Sequence, residues 1–509
     1  MRTVKALLSL AVALLVWTIP ASAEVRLHGL FTDGMVLQQD QKVPVCGTAD
    51  DGEQVTVKFA DQETSTTAAG GKWMVKLNDL KPGGPFTMTV SGKNTIVLKD
   101  VYVGEVWICS GQSNMALILK QSANADQEIA NSANPMIRLY SVPGKAADEP
   151  ASDVHGQWKA CAPDTVANFS AVGYFFGREI QKALKVPVGL INSSVGGTPA
   201  EAWTSHEALE SKADLKTIGD DYARALQDLP QAIEQYNKDL PTYNAMADKM
   251  RKAGKTPPPP PRKPGPPVKP SCLYNGMIAP LIHYGIAGVI WYQGESNASR
   301  ALQYRTLFPT MIEDWRKAWG QDEFPFLYVQ LAPYRPIQAE PQLNSNWAEL
   351  REAQLVTLSV PKTGMAVITD AGDPTNIHPT NKQIVGARLA LAALAIAYGR
   401  NIEYSGPIYS SMKIAGDKVV LSFTHVGGGL EAKGGELKGF AIAGPDRKFV
   451  WARAKIAGDN VVAWSPLVPS PSYVRYGWAD CPVCNLYNKE GLPASPFRTN
   501  YLDVPVRRR

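Results

Sequence analysis

Between residues 101 and 398 short, nearly continuous apolar runs alternate with amphipathic segments of helical period, and this alternation constrains the fold more than any other feature. The apolar runs cover residues 101–109, 136–141, 186–192, 288–292, 326–330 and 365–370. Helical patterns fill 172–184, 301–319, 347–358 and 380–398. Strands that are apolar on both faces need helices on both sides, so the pattern predicts an α/β domain around a parallel sheet. Ligands of such sheets sit beyond the carboxyl ends of the strands, and these ends are where chemistry is sought.

The flanks read differently. Residues 24–100 alternate β-branched and aromatic runs with Gly and Asp turns, which predicts a small β-sandwich-like domain. Residues 401–509 lose helical period again and predict a C-terminal β module. The catalytic domain is expected over 101–400, interrupted at about 207–269 by charged helical sequence and the run K-T-P-P-P-P-P-R-K-P-G-P-P-V-K. Consecutive prolines impose an extended, stiff conformation, so this block is a surface insertion.

Residues 1–23 carry Arg2 and Lys5, an apolar stretch and A-S-A, the pattern of a signal peptide cleaved before Glu24. Export to the periplasm or the medium is therefore expected, with no membrane association once the leader is cleaved. The net charge of +5 falls to +3 without Arg2 and Lys5, too little and too dispersed for a nucleic-acid partner. Cys481 and Cys484 form a C-x-x-C with no second pair and no histidine cluster, so a local disulfide or two free thiols are expected rather than a metal site.

The first run of the α/β block continues as V-W-I-C-S-G-Q-S-N-M, placing Ser113 at a strand end and at the start of a helix. Such a serine is either a nucleophile or a helix cap. A serine nucleophile needs a base, and of the six histidines His378 lies on a loop after a strand, on the same rim. Two further strand ends carry S-S-V-G-G-T and Q-G-E-S-N-A, offering Gly196, Gly197, Gln293 and Gly294 near the same rim.

Together S-G-Q-S-N-M, W-Y-Q-G-E-S-N-A and G-D-P-T-N-I-H-P-T-N-K resemble the sialate O-acetylesterase family of SGNH-type hydrolases. The similarity extends through M-V-L-Q near Met35, L-Y-N-G-M-I-A-P-L and N-L-Y-N-K-E-G-L-P-A-S-P-F-R-T. The resemblance implies a flavodoxin-like catalytic domain with Ser113 as nucleophile, His378 as base, and an oxyanion hole made by Ser113, Gly196 and Gln293. Asp373 is the nearest carboxylate for the orienting acid, Asp370 is the alternative, and a dyad without an acid is the third possibility. Asn114, Glu295 and Trp203 are the candidate substrate-binding residues. Arg178, Arg300 and Lys382 are candidates for holding a sialate carboxylate. The implied partner is an O-acetylated sugar, and no metal or organic cofactor is called for.

Acetylated xylan or another plant polysaccharide is the alternative substrate. A non-catalytic carbohydrate-binding protein is the reading from another class, and intact Ser113 and His378 speak against it. A metal-dependent phosphatase or phosphodiesterase calls for clustered His and Asp ligands, which the sequence lacks.

Overall fold

The computed structural model describes residues 24–499, Asp322 apart. The expected leader and the Arg507 to Arg509 tail lie outside the described residues.

Three short strands, β1 (Arg26–Leu27), β2 (Val43–Thr48) and β3 (Lys72–Leu77), form a small antiparallel sheet near the N-terminus. The next strand, β4 (Thr95–Gly111), runs for 17 residues, about 55 Å at the usual rise. Its first half pairs with the N-terminal strand Gly83–Ser91 and its second half lies in the central sheet. The expected boundary at residue 100 thus falls inside one continuous strand.

The central sheet continues with β5 (Asn134–Ser141), β6 (Lys159–Cys161), β7 (Val188–Ser194), β8 (Gly288–Tyr292), β9 (Phe326–Val329) and β10 (Thr363–Ala366). Its spatial order is β6-β5-β7-β4-β8-β9-β10. All neighbours are parallel except β6, which pairs antiparallel to β5 at the edge, so the sheet is mixed. Every residue of β8, β9 and β10 is buried, as strands covered on both faces require.

Strand β10 is shorter than its apolar run: pairing ends at Ala366, and beyond it the Val367 carbonyl and the Asp370 carboxylate accept from the Arg388 guanidinium. Helices cover both faces. Ala171–Leu184 (α1), capped by Ser170, packs on Lys382–Ile396 (α2). The two approach so closely at Gly386 that a Cβ there would lie 2.5 Å from the Phe175 Cβ.

The insertion is a 40-residue helix, Ala213–Lys252, about 60 Å long, with only Leu215, Ile218 and Ala247 buried. The proline arm folds back along it, where the Tyr243 hydroxyl donates to the Pro258 carbonyl at 2.6 Å. The C-terminal strands form two four-stranded sheets and one two-stranded sheet, with a core of their own. They are fixed to the central domain by buried polar contacts: Arg498 donates to Glu352 at 2.8 and 2.7 Å, and Arg351 to the Ala479 and Asp480 carbonyls. All six cysteines are free thiols, Cys481 and Cys484 included.

Candidate active site

Strand β4 ends at Gly111, whose φ of +137° suits glycine. A Cβ there would lie 2.2 Å from the Tyr292 carbonyl oxygen of β8. The chain turns, the Gln112 N–H donates to the Tyr292 carbonyl at 3.0 Å, and Ser113 opens a one-turn helix, Ser113–Ala116. The neighbouring strand ends are tied to this turn. The Val195 N–H donates to the Gly111 carbonyl at 3.1 Å, and Gln112 Oε1 accepts from the Ser296 N–H at 3.2 Å. Gly196 lies beside the serine, since a Cβ on it would sit 3.4 Å from the Ser113 Cβ. Among the described residues its N–H makes no hydrogen bond within the protein.

His378 Nε2 lies 2.8 Å from Ser113 Oγ. The backbone around the histidine is held by Asn376 Oδ1, which accepts from the His378 N–H at 2.9 Å. Burial pushes the ring pKa below the ordinary histidine value, and the charge of Lys382 adds to this. The ring is thus neutral near pH 7 and able to accept a proton.

Neither expected carboxylate orients that ring. Asp373 Oδ1 accepts from the Thr375 N–H, the Thr375 hydroxyl and the Asn376 N–H at 2.8, 2.7 and 3.2 Å. These bonds hold its carboxyl below the usual range and make it the cap of a turn. Asp370 is engaged by Arg388 at 2.6 and 2.7 Å. Among the described residues no carboxylate hydrogen-bonds His378.

A buried polar triangle lies behind the pair instead. Asn114 Nδ2 donates to Glu295 Oε1 and, at 3.0 Å, to the Ile377 carbonyl, one residue before His378. Lys382 Nζ donates to Asn114 Oδ1 and sits 4.9 Å from the Tyr292 ring centroid. Burial brings the Lys382 pKa down to about 7, opposed by Glu295, and pushes the Glu295 carboxyl up. Asn114 and Glu295, expected at the substrate, are therefore structural partners of the histidine loop. The role of Lys382 was not legible beforehand, although it lies four residues beyond His378 as the first residue of α2.

Two other expectations meet sealed surroundings. Gln293 is fully buried, donating to Asn297 Oδ1 at 2.6 Å and to the Thr198 carbonyl at 3.4 Å and accepting from the Tyr304 hydroxyl at 2.9 Å, so its amide is engaged within the protein and is not presented to an oxyanion. Trp203 is also fully buried, edge-to-face with Trp291, so it is core rather than a sugar platform. The three cations are engaged as well: Arg178 with Glu128 and Glu179, Arg300 with Glu201, and Lys382 with Asn114.

The chain matches the family model described as carbohydrate esterase, sialic acid-specific acetylesterase, over residues 103–257 and 265–395. It is 31% identical to a sialate O-acetylesterase of Rattus norvegicus, covering 91% of this chain and 92% of that protein. Identity to the sialate O-acetylesterase of Homo sapiens is also 31%, over 96% and 95% of the two chains. Among solved structures, a carbohydrate acetylesterase from Xanthomonas citri superposes with a TM-score of 0.80 at 38% identity, covering 94% of this chain and 100% of that one. With a serine and histidine in contact at the strand ends and a family match over more than half its length, the chain belongs to the sialic acid-specific acetylesterase family of carbohydrate esterases and is a carboxylic ester hydrolase.

Proposed function

We propose that this enzyme removes O-acetyl groups from a sugar through an acetyl-Ser113 intermediate, with His378 as its base and no orienting acid. The observation that carries this is the 2.8 Å contact between His378 Nε2 and Ser113 Oγ. His378 Nε2 takes the hydroxyl proton as Oγ attacks the acetyl carbonyl. The oxyanion forms beside the N–H groups of Ser113 and Gly196. The imidazolium then protonates the departing sugar oxygen, and a water deprotonated by the same nitrogen releases acetate. The Asn114 bond to the Ile377 carbonyl does the positioning that a triad acid does elsewhere.

The flavodoxin-like SGNH reading of the domain is supported by the strand order: without the edge strands β5 and β6, β7-β4-β8-β9-β10 reads 2-1-3-4-5. Ser113 then stands at the switch point beside β4. Export, with the mature chain starting at Glu24, is supported by the pattern of residues 1–23.

The relatives' names favour an O-acetylated sialic acid as substrate. A neutral acetylated polysaccharide is the second reading. It is favoured by the prior engagement of Arg178, Arg300 and Lys382, which leaves none of these to a sialate carboxylate. Acetate release from 9-O-acetylated sialic acid and from acetylated xylan, measured side by side with Ser113→Ala as control, separates them. Release from either substrate that is lost in the mutant is expected. Release that survives Ser113→Ala contradicts the proposed chemistry.

A further inference from the structure

Three of the six histidines, His28, His155 and His283, line one cleft of about 740 Å³ that includes neither Ser113 nor His378. That size suits a small ligand. One wall is the outer face of the β1-β2-β3 sheet. Register places Arg26 opposite Thr48, Thr48 opposite Lys72, and Cys46 opposite Met74, so these five side chains share a face. The other wall is the loop carrying Asp153 and His155, together with His283 from the central domain.

The cleft is electropositive. Arg26, Lys72, His155 and His283 are exposed around it, whereas His28 is only 5% exposed. His28 Nδ1 accepts from the Leu30 N–H at 3.3 Å, so the neutral ring carries its proton on Nε2, and that buried nitrogen has no hydrogen-bond partner. Asp153 Oδ1 lies 3.3 Å from it but is already bonded by the Gly29 and Val154 N–H groups at 2.8 and 2.7 Å. Burial lowers the His28 pKa, with Asp153 and the Pro280 carbonyl opposing and the charges of His283 and His155 adding to it. His283 is lowered by burial and by Lys72. These groups therefore face one another, and an anion among them relieves their repulsion. Among the described residues no cluster is arranged to hold a metal ion.

We propose that this cleft is a second glycan site that takes a carboxylate-bearing sugar, a sialic or uronic acid, with its carboxylate among Lys72, Arg26 and His28 Nε2. The charge of Asp153 opposes a dianion such as phosphate and leaves a monoanion favoured. Met74, Thr48 and Thr67 offer the mixture of methyl and hydroxyl groups that a sugar ring matches. The choice of a sugar rests on the carbohydrate esterase reading. Protonation of His28 and His283 strengthens the site as pH falls. Such a site holds an acidic glycan chain on the enzyme apart from the scissile ester.

The test is calorimetric titration of full-length Ser113→Ala protein with unacetylated sialyllactose, with a glucuronic-acid-bearing xylotriose and with neutral xylotriose, at about pH 5.5 and about pH 8. The expected result is saturable binding of at least one acidic sugar, about tenfold tighter at the lower pH, and about tenfold weaker after Lys72→Ala with His283→Ala. Which acid binds tells sialic from uronic. The same two substitutions in the Ser113 enzyme should leave 4-nitrophenyl acetate hydrolysis unchanged. Binding of neither acid, equal binding of neutral xylotriose, or binding indifferent to Lys72→Ala with His283→Ala overturns the proposal. Failure of the esterase reading shows separately, as no acetate release by the unmutated enzyme.

Discussion

No carboxylate hydrogen-bonds the His378 ring among the described residues, and under the proposed mechanism this separates two kinds of substitution nearby. Asp373→Asn keeps an oxygen for the turn, so kcat/KM should stay within a few-fold of the parent. A true orienting acid would cost on the order of 10⁴-fold on amide substitution, and a loss of that size would restore a triad. Asn114→Ala frees the Ile377 carbonyl and should lower kcat by about 10- to 100-fold with KM little changed, as expected of a positioning residue. The pH profile carries a third prediction. Under the proposed mechanism activity needs neutral His378, so it should fall as pH drops through the ring's pKa, which burial and Lys382 hold below the ordinary value. Lys382→Met removes the depressing charge, so the acid limb of kcat/KM should move to higher pH. A limb that stays in place would remove Lys382 from the electrostatics of the site. The meeting of Ser113 and His378 was legible because each residue follows a strand run. Gln293 and Trp203 were misjudged because sequence places a residue near a strand end without saying which way its side chain turns.

Elements were read well where one force decided them. The runs of β8 and β9 are apolar throughout, and the helical period of 301–319 matches the helix Ala301–Trp319 residue for residue. Strand β10 ends at Ala366, before its apolar run does: apolar sequence reports burial, and the next two residues are buried without a strand partner. The long β4 was split because the sequence pattern changes after residue 100, yet the strand runs through Asp100, whose φ is 59°, with pairing on both sides. Close packing of α1 on α2 is testable at Gly386. Gly386→Leu forces a side chain against Phe175 and should cost about 1–3 kcal/mol, read by chemical denaturation. An unchanged midpoint would mean that the helices part without cost. Because α2 begins just after His378, activity should fall along with stability.

At the scale of the whole molecule, the flanking β modules are built into the central domain. Strand β4 serves both the N-terminal sheet and the active-site turn. Glu352, 1% exposed, binds Arg305 of the central domain and Arg498 near the C-terminus. Glu352→Gln deprives two guanidinium groups of a buried carboxylate and should destabilise the protein by about 3–5 kcal/mol within a single thermal transition. Two separated transitions would show modules that unfold independently. Composition gave the β character of both ends, but joints made by single buried ion pairs have no periodic signature in a sequence. What these joints hold steady is the rim where Ser113 meets His378, and the most direct test is to look for the acetyl group itself. Rapidly quenched enzyme, turning over 9-O-acetylated sialic acid or acetylated xylan, should carry one acetyl group on the peptide containing Ser113 by mass spectrometry, and Ser113→Ala protein should carry none. Acetate release with no acetyl on that peptide, and with activity surviving Ser113→Ala, would contradict the account.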